Sequence, residues 1–131
     1  MNFKTKIICD SASDIPDDLA KKYDITVLPL TIIVNGKQYL DGIDIKQADF
    51  YDMLLDNSNK ITTSQVSSYT FEQAYVKAYE EGYDQILVVT LSGKSSGTFN
   101  SALIAKSAVK EHRNIDIPIE VVDSGIFSLP I

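Results

Sequence analysis

Hydroxyl side chains gather in two stretches of this 131-residue chain. Asn57 to Ser68 reads NSNKITTSQVSS, and Leu91 to Thr98 reads LSGKSSGT. Neutral hydroxyls, helped by backbone N–H groups at a helix start, can hold a carboxylate or phosphate without Lys or Arg. The same residue types also build ordinary loops and helix caps. Two such stretches in one chain point to an anion site, with Thr62, Thr63, Ser64, Ser92, Ser95, Ser96 and Thr98 as candidate donors.

A second constellation is carboxylic. Asp10, Asp14 and Asp123 fall at or near strand ends and could cluster around Mg²⁺. That arrangement would make the chain an enzyme, a phosphoryl-transfer or hydrolytic α/β domain. Aspartates in such positions also accept backbone N–H bonds, and Asp14 stands where it could cap a helix. Gly93-Lys94-Ser95 resembles the end of a phosphate-binding P-loop, but the required earlier glycine is replaced by Val88, inside a strand pattern. The single histidine, His112, sits between Glu111 and Arg113 at a helix end, where a cation suits the dipole. The single cysteine, Cys9, lies in an apolar strand and reads as a small buried side chain. Neither offers a Ser–His or Cys–His pairing for nucleophilic catalysis.

The elements that must position these groups alternate between strand and helix. Ile86 to Val89 is an apolar, β-branched run suited to a strand buried on both faces. After the polar loop, Phe99, Ala102, Leu103, Ala105 and Val109 keep a helical spacing to about His112. Earlier, Lys6 to Cys9 is a first strand, and Pro16 suits the first position of a helix running to Lys22. Ile25 to Leu30 is a second strand. Thr31 to Val34 and Lys37 to Leu40 flank Asn35-Gly36, which predicts a type I′ hairpin. A helix is expected from Ile45 to about Leu55, entered near Asp44, and another from Phe71 to Glu81, capped by a preceding serine and ended by Gly82. Asn57 to Ser68 is expected to be loop throughout. Ile119 to Val122 is a last strand. Three strands thus end in Asp10-Ser11, Ser92-Gly93 and Asp123-Ser124. Helical crossovers make those strands parallel and bring their carboxyl ends to one edge.

The totals restrict partners. One domain of this length buries roughly two-thirds of its unfolded surface. A net charge of −6 with no basic run opposes binding to nucleic acid. No apolar stretch approaches the roughly 20 residues of a membrane helix, and a cytoplasmic protein is expected.

Five motifs in order resemble those of the DegV family. They are Asp10-Ser11-Ala12-Ser13-Asp14-Ile15-Pro16, then Val27-Leu28-Pro29-Leu30 with Tyr39-Leu40-Asp41-Gly42-Ile43-Asp44, Thr62-Thr63-Ser64-Gln65, Ser92 to Ala102, and Asp123-Ser124. The resemblance implies a parallel-sheet, three-layer α/β amino-terminal domain with an added β-hairpin, over residues 1–124. It implies a carrier of long-chain fatty acid, without a cofactor and not an enzyme by itself. The carboxylate would be held first by Thr63 and Ser96, with Thr62, Ser64, Ser92 and Gly97 beside them. A separate ATP-using fatty acid kinase would be the partner.

Some positions depart from the family pattern. Val66 stands in place of a common proline, and Gly93 and Ser95 replace a serine and an apolar residue. Residues 125–131 do not match, and the second domain, which supplies basic groups to the head-group site, is expected to be absent. Such a shortened form would expose apolar surface and could self-associate.

Overall fold

The computed structural model describes residues 4–11, 17–40, 43–90 and 97–123, with the side chains of Asp17, Gln47, Ala48, Tyr51, Thr63 and Asp123 outside that description. The order of elements is β1 (Thr5–Asp10), α1 (Asp17–Lys22), β2 (Thr26–Leu28), β3 (Thr31–Val34), β4 (Lys37–Leu40), α2 (Gln47–Leu55), β5 (Ile61–Ser64), α3 (Ser68–Glu80), β6 (Gln85–Thr90), α4 (Thr98–Arg113) and β7 (Ile119–Asp123). The fold is mixed α/β. Strands β2-β1-β6-β7 form one sheet and β4-β3-β5 another.

The first sheet is parallel throughout, with Ile8 paired to Val88 and Val88 to Val121. All four strands therefore deliver their carboxyl ends to the same edge, as the crossover rule requires. Side chains of β6 alternate: Ile86, Val88 and Thr90 are buried, while Gln85, Leu87 and Val89 are half-buried. Burial on both faces was expected of this strand, and only one face is sealed. Phe71, Tyr75 and Ala78 of α3 and Ala102, Ala105 and Val109 of α4 close that face over Ile8, Ile86 and Val88. The Tyr75 hydroxyl donates to the Ala102 carbonyl at 3.0 Å, tying the two helices together inside the core.

Local chemistry sets the helix limits. Ser67 caps α3 by accepting the Thr70 N–H at 3.2 Å, so the helix starts three residues before the expected Phe71. It ends at Glu80, and two residues on Gly82 takes a φ of 90 that favours glycine, with Tyr83 N–H on the Ala78 carbonyl and Gly82 N–H on the Tyr79 carbonyl. Helix α4 stops at Asn114, whose φ of 54 lies in the left-handed region. The expected entry of α2 near Asp44 is displaced: Asp44 Oδ2 accepts the Leu40 N–H at 2.9 Å, and the helix begins at Gln47. The expected roles of Asp14 and Pro16 at the start of α1 lie outside the described residues.

Asn35 and Gly36 both have positive φ, 52 and 86, as the type I′ turn demands. The hairpin is not alone, however. Ile61–Ser64, expected as loop, pairs antiparallel with β3 and makes the ribbon three-stranded. Ile32, Val34 and Ile45 form its own small core with Phe50, Met53 and Ile61. The polar composition of this strand hid it, because its partner strand and not its own side chains supplies the reason to be extended.

Candidate functional site

The two hydroxyl stretches meet at their described ends. β5 carries Thr62, Thr63 and Ser64 in register with Ile33, Ile32 and Thr31. The chain then passes through Gln65 and Val66 into α3. There the Val66 N–H donates to Thr98 Oγ1 at 3.2 Å, in buried surroundings. Thr98 is the first residue of α4 and has no exposed surface, and Val66 is 2% exposed. Gly97, directly after Ser96 in the chain, lies against the Gln65 side chain. The end of β5 is thereby held on the first turn of the helix that follows the second hydroxyl stretch.

Around this contact the candidates divide. Thr62 and Ser64 are exposed and Gly97 is half-buried. Thr63 is placed by its backbone pairing with Ile32. Ser92, Ser95 and Ser96 lie outside the described residues. Thr98 serves the fold, because its oxygen satisfies a buried backbone donor that would otherwise cost roughly 1–3 kcal/mol. Ser11 is similarly occupied: its Oγ accepts the Leu30 N–H at 2.9 Å and joins the ends of β1 and β2. Gln65 was read only as the last residue of the Thr62-Thr63-Ser64-Gln65 motif, and the structural part played by Thr98 was not read from the sequence. The available signal was the sequence adjacency of Gln65 to the hydroxyls.

The carboxylates are less convergent. Asp10 is fully buried at the end of β1, and Asp123 ends β7 opposite Thr90. Strand β6 lies between β1 and β7, which puts those strands about 9.5 Å apart at the usual ladder spacing. Asp14 lies outside the described residues, and among the described residues no three His, Cys, Asp or Glu side chains are grouped to hold a metal. Val88 is inside β6, so no phosphate nest forms at that position. Cys9 is buried, and His112 is exposed in the basic last turn of α4. An open cleft of about 530 Å³ lies elsewhere, at the amino-terminal edge of the sheet between Thr5, Gln85, Lys106, Lys110 and Pro118.

The family described as "Uncharacterised protein, DegV family" matches residues 4–131. This chain belongs to the DegV family. Among curated DegV relatives, a DegV domain-containing protein of Caldanaerobacter subterraneus is 42% identical over 126 residues, covering 96% of this chain and 42% of that protein. A protein named "Fatty acid-binding protein" from Thermotoga maritima is 38% identical over 133 residues, covering 97% and 44%. The DegV fold is shared with a stearic acid-binding protein from Eubacterium ventriosum, at TM-score 0.83 and 33% identity over 92% of this chain and 41% of that one. A DegV lipid binding protein from Thermotoga maritima superposes at TM-score 0.77 with 38% identity, over 93% and 42%. This DegV chain thus spans less than half the length of the relatives it matches. Among its described residues no helix is long and apolar enough to cross a membrane.

Proposed function

We propose that this DegV chain binds a long-chain fatty acid, with the carboxylate held by hydroxyls of the two converging stretches. The observation that supports the reading is the Val66–Thr98 bond, which joins the end of the stretch bearing Thr62, Thr63 and Ser64 to the first residue of α4. Relatives named for fatty acid or stearic acid binding support the ligand class. Thr63 and Ser96 are the principal donors in this proposal, with Thr62, Ser64, Ser92 and Gly97 around them. The acyl chain supplies most of the affinity at about 0.8 kcal/mol per buried methylene, while the charged head must not be left without partners. Charge-assisted bonds from hydroxyls meet that need.

The chain works as a carrier in the cytoplasm and not as a catalyst, presenting the acid to a separate ATP-using kinase. In this reading residues 1–124 form the carrier's amino-terminal domain. Among the described residues no group of carboxylates is placed for a metal-dependent reaction.

Titration with palmitate tests the reading. Thr63→Ala combined with Ser96→Ala should weaken binding tenfold or more, at roughly 1.5–3 kcal/mol per bond to a charged group. Equal affinity in the double variant would remove the head-group assignment, and no binding by the unaltered chain would remove the ligand.

A further inference from the structure

We propose that Asn35-Gly36 is a spontaneous modification site, where loss of ammonia from the Asn35 carboxamide unlatches β5 from the hairpin and Asn59 with Lys60 hold the reaction back. The proposal does not depend on what the chain binds. In an Asn-Gly pair the Gly36 nitrogen, as its proton leaves to base, attacks Asn35 Cγ. The new N–Cγ bond closes a succinimide ring while the Cγ–Nδ2 bond breaks, and Nδ2 takes up a proton and departs as ammonia. Water then opens the ring at either carbonyl, leaving aspartate or isoaspartate at position 35. No oxidant or reductant is needed.

Two observations carry it. First, nothing crowds the attack: Asn35 and Gly36 are exposed at the hairpin tip, and even a Cβ added to Gly36 would meet no atom within 4 Å. Second, the carboxamide is held at both ends by another segment of the chain. Its Oδ1 accepts the Lys60 N–H and its Nδ2 donates to Asn59 Oδ1, each at 2.8 Å. Chemistry fixes which end is which. A backbone N–H can only donate, so Oδ1 must face Lys60, and Asn59 commits its own Nδ2 to the Met53 carbonyl at 3.1 Å, leaving its oxygen for Asn35. The Asn35 N–H also donates to the Lys60 carbonyl at 2.8 Å. Ring closure brings Cγ to bonding distance of the Gly36 nitrogen and makes it tetrahedral. A carboxamide held flat at both ends can do neither without leaving its partners, so the reaction waits on local opening of the β3–β5 junction. Modification then removes the latch. Both products replace Nδ2 with oxygen and lose the donor to Asn59. Isoaspartate also lengthens the main chain by one atom, which does not fit a two-residue turn with φ of 52 and 86.

Cleavage after Lys22 and Lys37 isolates residues 23–37, in which Asn35 carries the only side-chain amide. The test incubates the whole chain in mildly alkaline buffer, folded and in guanidinium chloride, and follows the mass gain of that fragment. The folded chain should convert at least about tenfold more slowly, as expected when two hydrogen bonds must open first. Asn59→Ala and Asn59→Asp both lose the bond to Met53, but only the second keeps an acceptor for Asn35 Nδ2. Asn59→Ala should therefore quicken conversion of the folded chain about fivefold, the worth of one ordinary hydrogen bond, while Asn59→Asp stays near the unaltered rate. The modified fraction, separated by its added negative charge, should show faster amide exchange at Lys60 and along Ile61–Ser64 than the unmodified one. Equal conversion in folded and unfolded chains would refute the brake, and that comparison needs no variant to fold. Equal conversion in the two Asn59 variants would refute the part given to Asn59. A modified fraction whose β5 amides stay as protected as before would refute the latch.

Discussion

Tyr83 and Asp24 join the amino end of the parallel sheet to the turn after α1 through a bond that titrates at both partners. The Tyr83 hydroxyl donates to Asp24 Oδ2. Lys6 Nζ, on a nearly buried side chain, donates to the Asp24 carbonyl at 2.8 Å and lies 3.3 Å from Oδ1. The bond from Tyr83, followed by Lys6, holds the Asp24 carboxyl below its ordinary 3.8. The same bond, with smaller help from burial, pushes the Tyr83 phenol from 10.0 up to about 12. A depressed carboxylate stabilises the fold above its unfolded value and loses that contribution as pH falls through the folded one. A raised phenol contributes fully below pH 10.0 and loses its contribution as pH climbs to about 12. The melting-temperature gap between the unaltered chain and Tyr83→Phe should therefore be widest between these limits and close at each extreme. A gap that persists unchanged past pH 12 would mean the bond contributes no stability. Deeper in the core, Tyr75 separates hydroxyl from packing. Tyr75→Phe removes only the bond to Ala102 and should lower the urea-unfolding free energy by about 1 kcal/mol. Tyr75→Ala also empties a fully buried site and should lower it by about 3–5 kcal/mol.

At the level of elements, Asn35 does two jobs, and only one could be read from the chain. Its positive φ serves the hairpin turn. Its side chain also accepts the Lys60 N–H at 2.8 Å and donates to Asn59 Oδ1 at 2.8 Å, fastening the turn to the start of β5. Asn35→Gly keeps the turn's backbone and deletes both bonds. Amide exchange should consequently rise at Lys60 and along β5 while the β3–β4 pairing stays protected; unchanged protection at Lys60 would show these bonds to be idle. The same residue explains what was legible. Asn-Gly, the β-branched run of β6 and the apolar spacing of α3 and α4 are local signals, and each element falls where they indicate. β5 has no such signal: Thr62, Thr63 and Ser64 are polar, and the strand exists through β3 and the turn of a distant hairpin. The hydroxyls were legible as residue types, and their use as an anion site is the proposal made above. The Val66–Thr98 bond was not, since it depends on two segments 32 positions apart.

For the molecule as a whole, charge and greasiness pull on a fatty acid in opposite directions. The chain carries −6, so its long-range field repels a carboxylate. The donors of the proposed site are neutral hydroxyls, whose hydrogen bonds salt does not screen as it screens an ion pair. Raising ionic strength shortens the screening length from about 10 Å at 0.1 M toward about 3 Å at 1 M. The repulsion fades, and the local hydrogen bonds do not. Palmitate affinity in this 131-residue chain should thus hold or rise with added sodium chloride. Salt can also strengthen apolar burial, so hexadecanol, which shares the chain length and lacks the charge, provides the reference, and the acid-to-alcohol affinity ratio isolates the charge. A ratio that rises slightly or stays level fits capture by hydroxyls. A ratio that falls about tenfold over this range would place a cation at the head group, as expected for an ion pair exposed to screening. The lysines of the chain would then have to be searched for the group that holds the acid.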